Sequence, residues 1–266
     1  MEESLLNNQI EHLTVAQINK RLTESTVSPL FLQALVNDSR KSVQKLYKNY
    51  KLQQQLIDKQ KHEYNKKCYY EQKFWQQQKI VAGLDEVGRG CLAGPVVCAA
   101  VIMDPKRPIL GIDDSKKLSS KKREVLASKI KEQALAYSIA IISVQTIDKI
   151  NILEASRLGM VQAVKKIKPQ PQELLVDAIH LNSLIHQTDI IKGDSCSVSI
   201  GAASIVAKVY RDHLMVRYHY FYPEYGFNKN KGYGTKTHLE ALKKYGISPI
   251  HRLSFAPVKN IKDKFT

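Results

Sequence analysis

From Lys79 onward, short runs rich in β-branched residues alternate with stretches of helical periodicity, and this alternation constrains the fold more than any other feature of the chain. Residues 80–84 and 95–103 read as strands, with Val96, Val97, Val101 and Ile102 suited to a buried pleated surface. Ser119 caps a helix reaching about Gln133, residues 134–143 read as a strand, and residues 152–167 repeat apolar side chains at helical spacing until Pro169. Residues 174–176 form a short buried strand, and Ile190 and Ile191 close the next. Residues 198–220 make a long helix, and residues 235–244 a final one before Gly246. The expected fold over residues 79–266 is α/β, a mixed sheet flanked by helices with ligands at strand ends.

Residues 1–78 lack period-two alternation. Thr14 can cap a helix bearing Val15, Ile18 and Leu22, and Ser28-Pro29 is an N-cap followed by proline at the first helical position. Asp38 opens a basic, glutamine-rich stretch predicted to stay helical to about Gln78. Tyr47, Tyr50, Tyr64, Tyr69, Tyr70, Phe74 and Trp75 interleave with its lysines. Two readings are open there: a surface that tracks a nucleic-acid backbone and offers rings for stacking, or a solvated helix whose aromatics pack on the main domain. The expected organisation is a small helical N-terminal appendage, residues 1–78, ahead of the α/β domain.

Charge narrows the function. Lys and Arg number 41 against 25 Asp and Glu, a formal net charge of +16. Such a surplus suggests a polyanionic partner; nucleic acid leads, because each neutralised phosphate releases counterions, and an anionic membrane surface competes. No apolar run approaches the roughly 20 residues of a membrane span. The N-terminus lacks the basic start and apolar core of a secretory signal, so the expected compartment is the cytoplasm. Cys68, Cys91, Cys98 and Cys196 form no C-x-x-C pair and read as free thiols.

The strand read as ending at Leu84 runs into Asp85 and Glu86. Two carboxylates about 4 Å apart repel by several kcal/mol at an effective dielectric near 20, so a cation or a retained proton is needed. Adjacent strand residues point to opposite faces, so a shared site is expected to need a bend, which Gly83 and Gly88 permit. Leu174-Leu175-Val176 leads into Asp177, and Ile190-Ile191-Lys192-Gly193 into Asp194, so three apolar strands are each read as ending in an acid. Any one of these is explained by a turn or helix cap. Together, as oxygen donors without nearby Cys or His, they suit Mg²⁺ or Mn²⁺ and point to metal-assisted phosphoryl chemistry.

Gly88-Arg89-Gly90 with Gly94 has a superficial likeness to a dinucleotide-binding turn, but the spacing is G-x-G-x-x-x-G and Pro95 opens a strand. Glycines that let backbone approach a sugar, beside an arginine, serve a polynucleotide equally well. Lys116 is open between a phosphate contact and a solvated loop residue. Asp113 and Asp114 read as turn acids, and His213, His219, His238 and His251 as surface or hydrogen-bonded residues without ligand spacing. Residues 257–266 read as a basic, partly disordered end.

The segment Gly83-Leu84-Asp85-Glu86-Val87-Gly88-Arg89-Gly90-Cys91-Leu92-Ala93-Gly94-Pro95 resembles the first signature of the type 2 ribonuclease H family, in its ribonuclease HII branch. Asp114-Ser115-Lys116-Lys117-Leu118-Ser119 resembles the family's D-S-K-x-L-S segment, and Val176-Asp177-Ala178 its third acidic strand end. Lys192-Gly193-Asp194, with residues 202–212, resembles the fourth acid and its helix. Tyr225-Gly226-Phe227 and Lys231-Gly232-Tyr233-Gly234-Thr235 resemble the substrate-contacting segment. The resemblance spans residues 79–257 in order. Arg89 and Asp194 favour the HII branch over ribonuclease HIII, which differs at the first position and carries glutamate as the fourth acid.

The resemblance implies a ribonuclease H-like mixed sheet and an endonuclease that hydrolyses the RNA strand of RNA–DNA hybrids. It also implies nicking 5′ of ribonucleotides embedded in duplex DNA, leaving 3′-hydroxyl and 5′-phosphate ends. Asp85, Glu86, Asp177 and Asp194 would hold Mn²⁺ or Mg²⁺, two ions about 3.5 to 4 Å apart with substrate bound. Gly88, Arg89 and Gly90 would sense the ribose 2′-hydroxyl, Lys116 would contact a phosphate, and Tyr233 would stack on the adjoining deoxyribose. The expected partners are RNA–DNA hybrid and ribonucleotide-containing duplex DNA, with no membrane and a monomeric protein. The rivals are a non-enzymatic nucleic-acid-binding protein with structural acids, and a junction-directed nuclease that shares the sheet without the ribose sensor. The stretch before the signature exceeds that of the shortest family members and reads as an auxiliary duplex-binding element.

Overall fold

The structure, a computed structural model, describes residues 12–24 and 27–265, with side chains as far as Ile261. Two compact units divide the chain, Met1–Glu63 and Tyr64–Thr266.

The first unit contains helices α1 (Val15–Leu22) and α2 (Pro29–Val36) and most of α3 (Lys41–Lys67). Thr14 caps α1 as its sequence predicts, in a capping box: the Gln17 N–H donates to Thr14 Oγ1 at 3.3 Å and the Thr14 N–H donates to Gln17 Oε1 at 2.8 Å. Ile18, Leu22, Phe31, Ala34, Leu35 and Val43 form its small core. Asp38 does not open α3. It sits ahead of the helix, and its carboxylate accepts from the Arg40 N–H at 2.9 Å and from the Arg40 guanidinium at 2.6 Å.

The long helix expected to reach Gln78 is interrupted at Cys68 and resumes as α4 (Tyr69–Trp75). The interruption re-aims the chain so that Tyr64, Cys68, Glu71 and Phe74 are all buried. These residues belong to the second compact unit, which therefore starts before the expected boundary at residue 79. Most of the interleaved aromatics pack: Tyr64 and Phe74 are buried, Tyr70 and Trp75 lie against core clusters, and Tyr47 and Tyr50 lie against the first unit's core. Tyr69 is the exception, at 72% exposure.

The second unit is built on a five-stranded mixed sheet in the order β3-β2-β1-β4-β5. Strands β1 (Val81–Val87), β2 (Val96–Ile102) and β3 (Ala136–Ile142) are antiparallel neighbours, while β4 (Glu173–Asp177) and β5 (His186–Ile190) run parallel to β1. Period-two alternation sorts the side chains. Val87, Val97, Ala99 and Val101 pack with α5 (Ser120–Gln133) and α9 (Val198–Phe221); Leu84, Val96, Cys98 and Ala100 pack with α7 (Ile152–Lys166) on the other face. A short helix, α6 (Val144–Ile150), was not legible in the apolar pattern.

Gly83 works by contact. A Cβ there would lie 2.1 Å from the Ser199 carbonyl carbon, so only glycine lets the start of α9 lie directly on β1. Beyond α9 come the single-turn α10 (Phe227–Asn230) and α11 (Lys236–Tyr245), the helix expected before Gly246. Helix α12 (Ala256–Phe265) stands where a loose tail was expected, and Val258 is fully buried among Leu92, Met215, Phe227 and Leu242. Among the described residues, no helix is long and apolar enough to cross a membrane.

Candidate active site

Strand β1 does not end at Leu84. It pairs with β2 as far as Val87↔Val97, but its pairing with β4 stops at Leu84↔Val176. Asp85 is therefore level with Asp177, the last residue of β4, residues 86–87 run past it, and a groove of about 830 Å³ opens beside them. Asp85 and Glu86, which leave the strand toward opposite faces, both line this groove. The bend expected from Gly83 is unnecessary, because the missing β4 pairing leaves that edge of β1 open.

Asp85 is 5% exposed. Its Oδ1 accepts from the Glu86 N–H at 2.7 Å, and the Ser204 hydroxyl from α9 works against the rise of its carboxyl. Burial, then the neighbouring Glu86 charge, then that of Asp177 push the Asp85 carboxyl well above the usual range. Burial lifts Glu86 to about 7 against the pull of the Arg89 guanidinium, which stands 3.2 Å from its Oε1. Glu86 Oε2 is buried without a hydrogen-bond partner.

Asp177 closes β4, and its charge acts on Asp85, Glu86 and Asp194 alike. Asp194 departs from its sequence expectation. Strand β5 is a largely exposed edge with Ile190 its buried residue, Ile191 is 80% exposed, and Asp194 stands on the single-turn helix α8 (Gly193–Cys196). Asp194 is not among the residues lining the groove, but the charge of Asp177 acts on it. Burial, then Asp114, then Asp177 raise its carboxyl. Asp114 is thus more than the turn acid its sequence suggests, although it also caps its own turn by accepting from the Lys116 N–H at 2.9 Å.

Among the described residues, no three His, Cys, Asp or Glu side chains already form a metal cage. The donor set nonetheless fits a hard divalent cation. Its members are all oxygens, burial and neighbouring charge favour protons on Asp85, Glu86 and Asp194, and Glu86 Oε2 lacks a partner.

Gly88, Arg89, Gly90, Lys116 and Tyr233 line the same groove as the acids. Arg123, Ser204 and Lys208, which carried no sequence signal as site residues, line it too. Arg123 Nη1 donates to the Ser115 carbonyl at 2.8 Å and so pins the loop carrying Lys116; Ser115 Oγ and Ser204 Oγ are 2.9 Å apart. Lys208 Nζ lies 5.9 Å from the Tyr233 ring centroid and 2.8 Å from Asp212. The Tyr233 backbone is tied down by a histidine pair. His238 Nδ1 donates to the Tyr233 carbonyl at 2.9 Å, leaving Nε2 to accept from His251 Nε2 at 3.0 Å, while His251 Nδ1 accepts from the Ser248 N–H at 2.9 Å. Burial lowers both imidazoles, His251 to about 3, so both stay neutral.

Glu71 was also invisible as a positioning group. Fully buried, its Oε1 accepts from Ser197 Oγ at 2.5 Å and from the Ser199 N–H at 2.9 Å, capping α9 one turn after Asp194.

A mixed β3-β2-β1-β4-β5 sheet with acids gathered where β1 outruns β4 defines a ribonuclease H-like nuclease fold. The crystal structure of the ribonuclease H2 from Pyrococcus horikoshii is similar, with a TM-score of 0.60 and 28% identity, covering 70% of this chain and 98% of that one. Bst-RNase HIII solved in complex with Mn²⁺ shares the fold at a TM-score of 0.56 and 19% identity, covering 70% of each chain. The family profile described as Ribonuclease HII matches residues 82–258, and that of the Ribonuclease HII N-terminal domain matches residues 14–75. Ribonuclease HII of Lactobacillus delbrueckii subsp. bulgaricus is 48% identical over 249 residues, 94% of this chain and 97% of its own. The chain belongs to the ribonuclease HII family, and with it to the ribonuclease H hydrolases.

Proposed function

We propose that the chain is a metal-dependent endonuclease that hydrolyses the RNA strand of RNA–DNA hybrids and nicks 5′ of ribonucleotides embedded in duplex DNA, leaving 3′-hydroxyl and 5′-phosphate ends. The observation that carries this reading is that Asp85 and Glu86 share one groove with Gly88, Arg89 and Gly90. Carboxylates suited to a cation at a scissile phosphate thus adjoin a glycine loop able to approach a sugar.

Asp85, Glu86, Asp177 and Asp194 would hold Mn²⁺ or Mg²⁺, two ions with substrate bound. Such ions make water nucleophilic and stabilise the leaving 3′ oxygen. The residues of the chain do the rest. Gly88, Arg89 and Gly90 meet the ribose 2′-hydroxyl, the group that distinguishes RNA from DNA at a given position. Lys116, held by the pinned loop, and Lys208 place positive charge along the groove for flanking phosphates. Tyr233, 40% exposed and fixed by the His238 bond to its carbonyl, offers its ring to the neighbouring deoxyribose. We assign the basic first unit a role in holding the duplex outside the groove. The protein acts as a monomer in the cytoplasm, where its four free cysteines stay reduced.

A duplex with one ribonucleotide and its all-DNA control, each incubated with protein and Mn²⁺ or Mg²⁺, test the reading. A nick confined to the first duplex, with a 3′-hydroxyl and a 5′-phosphate, is the expected result. Absence of a ribonucleotide-dependent nick with both metals overturns it.

A further inference from the structure

Among the described residues, the two largest fully buried side chains are arginines, Arg211 and Arg252, and neither has an acidic partner within ion-pair distance. Both are satisfied by backbone carbonyls instead. Arg252 Nη2 donates to the carbonyls of Gly88 at 2.6 Å and Gly94 at 2.8 Å, Nη1 to that of Arg89 at 2.8 Å, and Nε again to that of Gly94 at 2.9 Å. Arg211 donates to the carbonyls of Pro95 at 2.9 Å, Lys231 at 2.9 Å and Ala93 at 3.0 Å. The loop from Gly88 to Pro95 is wrapped around two guanidinium groups.

This arrangement has a directional consequence. In a trans peptide the C=O and the following N–H point in opposite directions, and both peptides at issue are trans. With the carbonyls of Gly88 and Arg89 drawn inward to Arg252, the N–H groups of Arg89 and Gly90 turn outward, where residues 88–90 line the groove. Neither N–H donates to any described residue. Two successive backbone donors are thereby held free beside Asp85 and Glu86. Gly88 also has a reason beyond sugar approach: its φ is +99°, and a Cβ there would stand 2.2 Å from Arg211 Nε.

We propose that Arg252, backed by Arg211, is a positioning residue for ribose recognition: it keeps the Arg89 and Gly90 N–H groups presented to the oxygen of a 2′-hydroxyl. This rests on the ribonucleotide reading above. A planar fork with five donors is required, because the three carbonyls held by Arg252 approach different nitrogens of one guanidinium. Lysine at this position keeps the charge and loses the fork. Two hydrogen bonds to the ribose oxygen, each weakened, correspond to a change of about tenfold in recognition.

The test compares the wild type with Arg252→Lys at saturating Mn²⁺. KM and kcat are measured on the one-ribonucleotide duplex, and the all-DNA duplex is titrated as a competitive inhibitor. The expected result is a KM raised about tenfold in Arg252→Lys with the inhibition constant of the all-DNA duplex unchanged. A purely structural role would lower the active fraction, and so kcat, while leaving KM in place. Unchanged KM in the folded variant, or KM and inhibition constant rising together, overturns the proposal while the ribonucleotide reading stands. Failure of the wild type to cut the ribonucleotide duplex overturns both. Should Arg252→Lys not fold, amide hydrogen exchange on the wild type decides. Arg89 and Gly90 N–H groups must exchange freely in the free protein and become protected by the ribonucleotide duplex but not by the all-DNA one, and amides already protected in the free protein refute the proposal.

Discussion

Asp177 Oδ1 accepts a hydrogen bond from the Gly193 N–H at 2.7 Å, tying the end of β4 to the turn that carries Asp194. Asp177 and Asp194, the third and fourth candidate acids, are therefore set relative to each other through backbone, although 16 residues separate the bonded pair. Their position relative to the first two depends on β1 running past β4, since that overhang places Asp85 and Glu86 alongside Asp177.

Metal binding should release protons. Glu86 is held at about 7, and Asp85 and Asp194 are also raised, so a cation displaces protons from these groups near neutrality. Mn²⁺ affinity is expected to climb as pH rises from about 5 to 8, and calorimetry in buffers of different ionisation enthalpy should register proton release. For the metal-free protein the sign is set by folded values above the unfolded ones. Glu86 favours the fold fully below its unfolded value of 4.5, and that contribution, on the order of 3 kcal/mol, is lost as pH rises toward 7. Mn²⁺ should restore Tm most at the alkaline end. A Mn²⁺ affinity independent of pH would contradict this account.

Glu71 should behave as a neutral acceptor would. Burial raises its carboxyl, and its Oε2 and the Ser199 Oγ both lack partners. Glu71→Ala removes the acceptor for Ser197 Oγ and the Ser199 N–H, with an expected loss of about 2 kcal/mol in chemical denaturation. Glu71→Gln keeps an acceptor, adds a donor for Ser199 Oγ and cannot ionise, so it is expected to match or exceed the wild type at pH 7. If Gln were as harmful as Ala, the carboxylate charge itself would be required.

Lysines on α3 can be tested by salt. Lys45, Lys48, Lys51 and Lys59 are exposed on that helix. If the first unit holds the duplex, changing all four to Gln should flatten the dependence of log Kd on log salt by up to about 0.9 for each phosphate that is no longer neutralised. An unchanged slope, measured by fluorescence anisotropy, assigns the positive charge to solubility instead.

What was legible in the chain follows from how each group is held. Asp85, Glu86 and Asp177 could be read because they close apolar runs, and a buried strand announces itself by composition. Asp194 was read as closing an apolar strand but stands on α8, since β5 is an edge strand whose His186, Gln187, Thr188 and Asp189 carry no apolar signal. The break at Cys68 was hidden because the helix on either side of it has the same polar, basic composition. Arg211 and Arg252 were illegible for a different reason. Their partners are main-chain carbonyls, which every residue possesses, and those of Arg252 lie 158 or more positions away. The Glu71 cap likewise joins residues 126 positions apart.

The histidine pair beneath Tyr233 is a chain of donors with a single direction, from Ser248 through His251 and His238 to a carbonyl that can only accept. Each ring must therefore carry its one proton on a different nitrogen from the other, His238 on Nδ1 and His251 on Nε2. Neither histidine can be replaced without stranding a partner in the interior, so positions 238 and 251 form one inherited unit. Among related chains they should be retained together or exchanged together, and the aromatic ring above them should follow.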